Sequence, residues 1–265
     1  MRSSCPTTHS SRRTFHCDTV TELRGKSLVA ELERRFVVAH SRVELPGGAV
    51  DIMHPENTDA LISEEDMVRD DRLPYWADIW PSSRVLARAV ARETGDGRTL
   101  LELGAGLGLV SIGAMRAGYD VLASDYYDDA LLFTRANAWR ALEREPRTRM
   151  IDWRDLPPDL AIADRVVAAD VLYEDRYPPL VVNVIARALA PNGIATIADP
   201  GRPMVEQFFE LLPLHGLRLR NTETVDYDES PAKQTIRLHH IVRSDDARDR
   251  TDRPSGARYV ARPLG

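Results

Sequence analysis

The chain has 265 residues, enough for one large domain or two small ones, and its 43% hydrophobic and 29% charged content fits a soluble globular protein with a real core. A formal net charge of −6, from 41 acidic against 35 basic side chains, argues against a general nucleic-acid binder, which needs a basic face to neutralise phosphates. There is no run of about 18 or more apolar residues, so no membrane-spanning helix is expected.

Residues 1–25 are rich in Ser, Thr and Arg, with no acid before Asp18. That composition resembles a transit peptide, but without an apolar helical face it reads better as a disordered tail or an early start. Cys5 and Cys17 both fall here, outside any expected core. No disulfide framework is therefore expected, and a reducing cytoplasm is the simplest compartment. Cys5, His9, His16 and Cys17 match no common zinc-finger spacing, so no metal is expected.

Residues 26–81 form an expected extension before the main domain. Within it, two β-rich runs in 36–55 flank Pro46-Gly47-Gly48, a hairpin signal. Ser63 followed by Glu64, Glu65 and Asp66 is a capping-box signature for a short helix. The segment LPYWADIWPSS then leads into a helix over 82–94, with Val85, Leu86, Ala89 and Val90 on one face.

From residue 98 the pattern alternates. Strands are expected at 98–103, 120–124, 147–153, 166–170 and 193–199, with helices at 107–117, 128–142, 176–190 and 203–215 between and after them. Two final runs, 217–225 and 235–243, have no helix-length stretch between them and should pair antiparallel. Alternating strands and helices close into a parallel, doubly wound sheet through right-handed crossovers. The expected architecture is therefore α/β: a seven-stranded, Rossmann-like domain over 82–243, with helices on both faces and an N-terminal hairpin and helix extension. Residues 244–265, charged and rich in Pro and Gly, read as a disordered tail.

The chemistry concentrates at the expected strand ends. Glu102-Leu103-Gly104-Ala105-Gly106-Leu107-Gly108 follows a strand and opens a helix, where glycines let the backbone turn tightly and approach a ligand. A dinucleotide fingerprint would need a third glycine where Leu109 stands. Glu102, just before the loop, suits a cofactor with a cationic amino group and sulfonium better than a pyrophosphate. Asp125 ends the second strand and can accept from both ribose hydroxyls, a feature shared with NAD enzymes. Asp152-Trp153 offers a ring for adenine and an acceptor for its amine. Asp170 and Tyr173 follow the fourth strand, at the carboxyl edge where open α/β sheets bind ligands.

In combination, LPYWADIWPSS, LLELGAGLGLVSIGA, the strand-ending Asp125, the Asp152-Trp153 pair, DVLYE and IADPGRP resemble methyltransferase family 16 over about 36–243. That family contains protein-lysine methyltransferases, including those acting on the electron-transfer flavoprotein β subunit, and bacterial members described as nicotinamide N-methyltransferase-like. The resemblance implies S-adenosyl-L-methionine as cofactor. It places Asp170 and Tyr173 on a D-x-x-Y signature beside the acceptor amine. It places Trp76, Trp80 and Pro81 on a W-x-x-x-W-P element, with Trp80 lining the cofactor pocket, and Trp153 against adenine. The sequence after Asp125, Tyr-Tyr-Asp-Asp, departs from the family's hydrophobic-acid pattern.

Methyl transfer from a sulfonium is an in-line displacement in which the protein positions and desolvates. Asp170 is expected to orient the amine and Tyr173 to contact it. Asp199 and Arg202 either line the acceptor side or simply form a turn. Three classes stay open: a protein-lysine methyltransferase, a small-molecule N-methyltransferase and a non-catalytic binding module. The intact glycine loop, Asp125 and Asp170 weigh against the last. The expected partner is a protein or small-molecule amine, without nucleic acid or membrane.

Overall fold

A computed structural model describes residues 22–61, 73–229 and 232–244. The expected tails, both cysteines and the capping box at Ser63 lie outside the described residues, apart from Glu22–Gly25 and Ser244.

Helix α1 (Gly25–Arg35) comes first, then an antiparallel hairpin of β1 (Val38–Val43) and β2 (Val50–Pro55). The hairpin was expected; α1 was not. Its buried face is Leu28, Val29 and Leu32, a helical spacing. A 3₁₀ turn at Tyr75–Ala77 leads into α2 (Pro81–Val90), whose proline occupies the first helical position, where a missing N–H costs nothing.

The alternating region follows: β3 (Thr99–Leu103), α3 (Leu109–Arg116), β4 (Asp120–Asp125), α4 (Asp128–Leu142), β5 (Arg147–Met150), β6 (Ala163–Ala169), α5 (Tyr177–Ala188), β7 (Leu189–Asp199), α6 (Val205–Leu211), β8 (Leu217–Glu229) and β9 (Ala232–Arg243). The sheet runs β5-β4-β3-β6-β7-β9-β8. Strands β3 to β7 pair in parallel, and β9 inserts antiparallel between β7 and β8. This is the doubly wound seven-stranded sheet expected, and the strand order reverses at β3 and β6.

Successive strand residues point to opposite faces. Leu100 and Val167 join a core with Leu86, Ile112 and Phe133, while Leu101, Leu103 and Val166 join another with Val181, Val184 and Phe208. The extension shares the first core through Leu28, Leu32, Ile52 and Met53. Buried Asn137 on α4 ties it down: its amide oxygen accepts from Met53 N at 2.8 Å, and its amide nitrogen donates to Met53 O and Leu107 O.

Several expected elements are shorter, among them the helix expected over 82–94, which ends at Val90, and two show the cause. Strand β5 ends at Met150 rather than 153, because the Asp152 carboxylate accepts the Arg154 backbone N–H at 2.9 Å and closes a turn. The helix expected to reach 215 ends at Leu211, and Pro213 starts a separate 3₁₀ turn, since proline cannot donate inside a helix. Among the described residues, no helix is long and apolar enough to cross a membrane.

Candidate active site

The carboxyl edge of β3, β4 and β6, where the strand order reverses, opens into one cavity. The glycine loop forms its floor. Gly104, Gly106 and Gly108 have φ of +66°, +53° and +80°, a left-handed region that side chains disfavour. A Cβ on Gly106 would lie 2.9 Å from the Trp76 carbonyl oxygen, and one on Gly108 would lie 2.8 Å from Thr134 Cα. These two glycines let the loop fit between the Tyr75–Ala77 turn and α4. Gly104 is different: a Cβ there would meet Val171 at 3.5 Å and the Trp153 ring at 3.9 Å, ordinary contacts at the cavity edge.

Asp125 is organised by this loop. Its Oδ2 accepts from Gly106 N at 2.9 Å, its Oδ1 accepts from Tyr127 N at 3.0 Å, and it is 7% exposed. Glu102 is deeper, with 3% exposure, and accepts the Ser111 hydroxyl. Burial pushes its carboxyl up to about 8, against that hydrogen bond and with Asp125 adding repulsion.

The structure places Asp152 and Trp153 just past β5. The Asp152 carboxylate accepts from Arg154 Nε at 2.9 Å and Nη2 at 2.7 Å, so it is already paired with a guanidinium. That guanidinium also lies 5.4 Å over the Tyr126 ring, tying the Tyr-Tyr-Asp-Asp segment to the turn after β5. Trp153 is half-buried on the cavity wall.

The end of the cavity beside Asp170 is aromatic. Trp80 Nε1 donates to Tyr75 O at 2.9 Å, and edge contacts run from Trp80 to Tyr75 (5.9 Å), Tyr75 to Tyr173 (5.4 Å) and Trp153 to Tyr177 (5.8 Å). Tyr173 closes the row, with its ring 4.8 Å from that of Tyr177 and its hydroxyl donating to Tyr177 Oη at 3.3 Å. Burial, helped by Tyr177, pushes the Tyr173 phenol well above its ordinary value, so it stays protonated. Trp76, by contrast, packs its ring 5.6 Å from Phe133 and contributes its backbone to the glycine loop. Sequence reasoning missed Tyr75 and Tyr177. The first lies inside LPYWADIWPSS and the second is one helical turn after Tyr173, which is the signal that could have found it.

Asp170 sits beside these rings at φ +57°, with its N–H bonded to Ala198 O at 2.8 Å. A non-glycine residue held there is a strained position of the kind that clusters at functional sites. Its Oδ1 accepts from Arg202 Nε at 2.8 Å. Fully buried Asp199 accepts from the N–H groups of Gly201 at 2.7 Å and Arg202 at 3.1 Å, so these residues form the turn, and none of them lines the cavity.

Six acidic side chains line the cavity: Asp78, Glu102, Asp125, Asp152, Asp170 and Glu174, with Asp152, Asp170 and Glu174 paired to Arg154, Arg202 and Arg176 outside the lining. Among the described residues no Lys, Arg or His lines it. This donor set fits a ligand carrying a ribose diol, an ammonium and a sulfonium. Among the described residues, no group of three or more His, Cys, Asp or Glu could hold a metal ion.

Solved structures share this fold. The magnesium protoporphyrin IX methyltransferase of Synechocystis PCC 6803, solved with bound SAM, aligns with TM-score 0.52 and 18% identity over 71% of this chain and 95% of its own. The same enzyme with bound SAH aligns with TM-score 0.50 and 17% identity over 62% and 84%. A ribosomal protein L11 methylase from Lactobacillus delbrueckii subsp. bulgaricus aligns less closely, with TM-score 0.47 and 17% identity over 61% and 78%. No curated protein matches the chain. The lysine methyltransferase family model matches residues 59–213, more than half of the chain, from the 3₁₀ turn at Asp59–Leu61 to Pro213, just past α6. The chain therefore belongs to the lysine methyltransferase family and is an S-adenosylmethionine-dependent methyltransferase.

Proposed function

We propose that this protein methylates an amine nitrogen, and that the amine is a lysine side chain of a protein. The observation that carries this reading is the cavity wall: six acidic side chains, three of them paired with arginines outside the lining, and no basic side chain among the described lining residues, ending in aromatic rings at the surface. A wall that presents acids and aromatic rings but no cation suits an amine better than a phosphate-bearing acceptor. Tyr75 and Tyr173 are each 37% exposed, so the acceptor end meets solvent, where a long side chain can reach in. The family description points the same way.

When bound, S-adenosylmethionine supplies a methyl group already activated on sulfur. The chain's own residues do the rest. Asp125 accepts hydrogen bonds from the ribose hydroxyls. Glu102, Trp80 and the glycine loop hold the methionine end, and Trp153 packs on the adenine. Asp170 accepts an N–H of the acceptor and sets its direction. The rings of Tyr75, Tyr173 and Tyr177 desolvate the amine, which favours its neutral, nucleophilic form. Tyr173, with its raised phenol, orients the amine and takes no proton from it.

The test is incubation with methyl-labelled S-adenosylmethionine and host lysate. Label in precipitable, protease-sensitive material supports the reading. Label confined to small molecules would assign the site to a small amine, and label in nuclease-sensitive material would overturn it.

A further inference from the structure

Arg202 is not part of the cavity wall, yet its guanidinium reaches the buried Asp170 carboxylate. Two features build this contact. Asp199 fixes the turn that presents Arg202, and the left-handed backbone of Asp170 aims its side chain back towards β7. The Asp170 side chain is 6% exposed and that of Arg202 is 35% exposed, so the pair spans the step from interior to surface. Only Oδ1 of Asp170 is used, which leaves Oδ2 for an acceptor N–H.

We propose that Arg202 is a positioning residue that acts through Asp170: it cancels the carboxylate charge so that the site receives the acceptor amine as free base instead of holding it as ammonium. This rests on the amine-acceptor reading above. An uncompensated carboxylate about 4–6 Å from an amine stabilises the ammonium and raises its pKa by about 1–3 units. An ammonium has no lone pair. With the guanidinium in place, Asp170 still accepts a hydrogen bond and orients the nitrogen, but the pair carries no net charge. The nitrogen lone pair then forms the new N–C bond as the S–CH₃ bond breaks. The sulfonium leaves as a neutral thioether, and the alkylammonium product loses a proton to solvent. Acidic groups around the pair are Asp199 at the end of β7, Tyr75 before α2, Tyr173 and Glu174 in the segment after Asp170, Tyr177 at the start of α5, and Asp125 at the end of β4. Two further cations stand nearby: Arg237 on β9, across from Asp199 and beside Gly201, and Arg176, paired with Glu174 at 2.7 Å; Arg202 is the cation that bonds Asp170.

The test uses two probes on the full chain with S-adenosylhomocysteine: n-butylamine, and n-butyltrimethylammonium as a permanent cation, read by the fluorescence of Trp80 and Trp153 on the cavity wall. Arg202→Gln should bind the permanent cation about tenfold more tightly than wild type. With S-adenosylmethionine and butylamine, its half-maximal pH for methyl transfer should rise by about 1 unit. Arg202→Lys should stay near wild type in both. In an Asp170→Asn background, Arg202→Gln should no longer change cation affinity. Unchanged or weaker cation binding in folded Arg202→Gln, or a pH profile superimposed on wild type, overturns the proposal. If wild type neither binds these probes nor methylates any amine, the amine reading itself fails, and the role of Arg202 with it.

Discussion

The substitution Glu102→Gln removes an acid that the fold buries at the end of β3. The free carboxyl is pushed from 4.5 up to about 8, because burial outweighs the hydrogen bond from Ser111. The native state therefore binds this proton more tightly than the unfolded chain does. The stability it contributes is fully present below the unfolded value of 4.5 and is lost as pH rises through about 8. At about 1.4 kcal/mol per unit, the full swing has an upper bound of about 5 kcal/mol. Gln keeps an acceptor for Ser111 and is neutral at every pH, but its amide N–H groups need a partner that the carboxyl did not. The variant should be less stable than wild type by about 1–3 kcal/mol near pH 5. The difference should shrink as pH rises, and the variant should equal or exceed wild type by about pH 8.5. Urea unfolding at three pH values measures this. Parallel stability curves for the two proteins would show that Glu102 is already ionised in the free protein and would refute the reasoning. The same logic makes cofactor binding proton-linked: a cationic ligand beside Glu102 favours its carboxylate. Calorimetry in two buffers of different ionisation heat should then detect proton release on binding near pH 7.

Gly106→Ala, at φ +53° with a Cβ 2.9 Å from a backbone carbonyl, should lower stability by about 1–3 kcal/mol and weaken cofactor binding; an unchanged melting temperature would show that the loop can yield. Asp125→Asn should weaken S-adenosylhomocysteine binding by about 1.5–3 kcal/mol in a calorimetric titration, and near-wild-type affinity would move the ribose contact elsewhere. Asp170→Asn keeps a residue that tolerates the left-handed backbone, so single turnover should fall by about a hundredfold while cofactor affinity changes little. Full activity in the folded variant would remove Asp170 from the mechanism. Tyr173→Phe should leave most turnover intact if the ring face is what matters, whereas a large loss would implicate the hydroxyl bonded to Tyr177.

The sheet and the floor of the cavity were legible because local pattern determines them. Apolar runs and glycines place β3, the loop and α3, and right-handed crossovers then bring Asp125 and Asp170 to one edge. The turn after β5 was harder: alternation carried the expected strand through Asp152, but the Asp152–Arg154 pairing that ends it depends on side-chain bonding that periodicity does not record. Helix α1 escapes the sequence pattern because its three buried apolar residues stand among charged ones, and only packing against α4 and the hairpin makes them a face. The Asp170–Arg202 pair joins residues 32 apart through two different strand ends, so each could be named but not their contact. The aromatic row was half visible. Trp80, Trp153 and Tyr173 stand at positions with an expected role, while Tyr75, in the same LPYWADIWPSS segment as Trp80, and Tyr177 become members only once the turn before α2 meets the start of α5.

The chemical identity of the methylated atom tests amine methylation most directly. Host protein labelled by the purified enzyme from methyl-labelled S-adenosylmethionine is hydrolysed in acid and its amino acids are separated. An amine acceptor beside Asp170 and Tyr173 predicts acid- and base-stable label eluting with Nε-methylated lysine, strongly reduced when Asp170→Asn replaces wild type. Label released by mild base as methanol, the mark of a carboxyl ester, or label residing in nucleotides would contradict it.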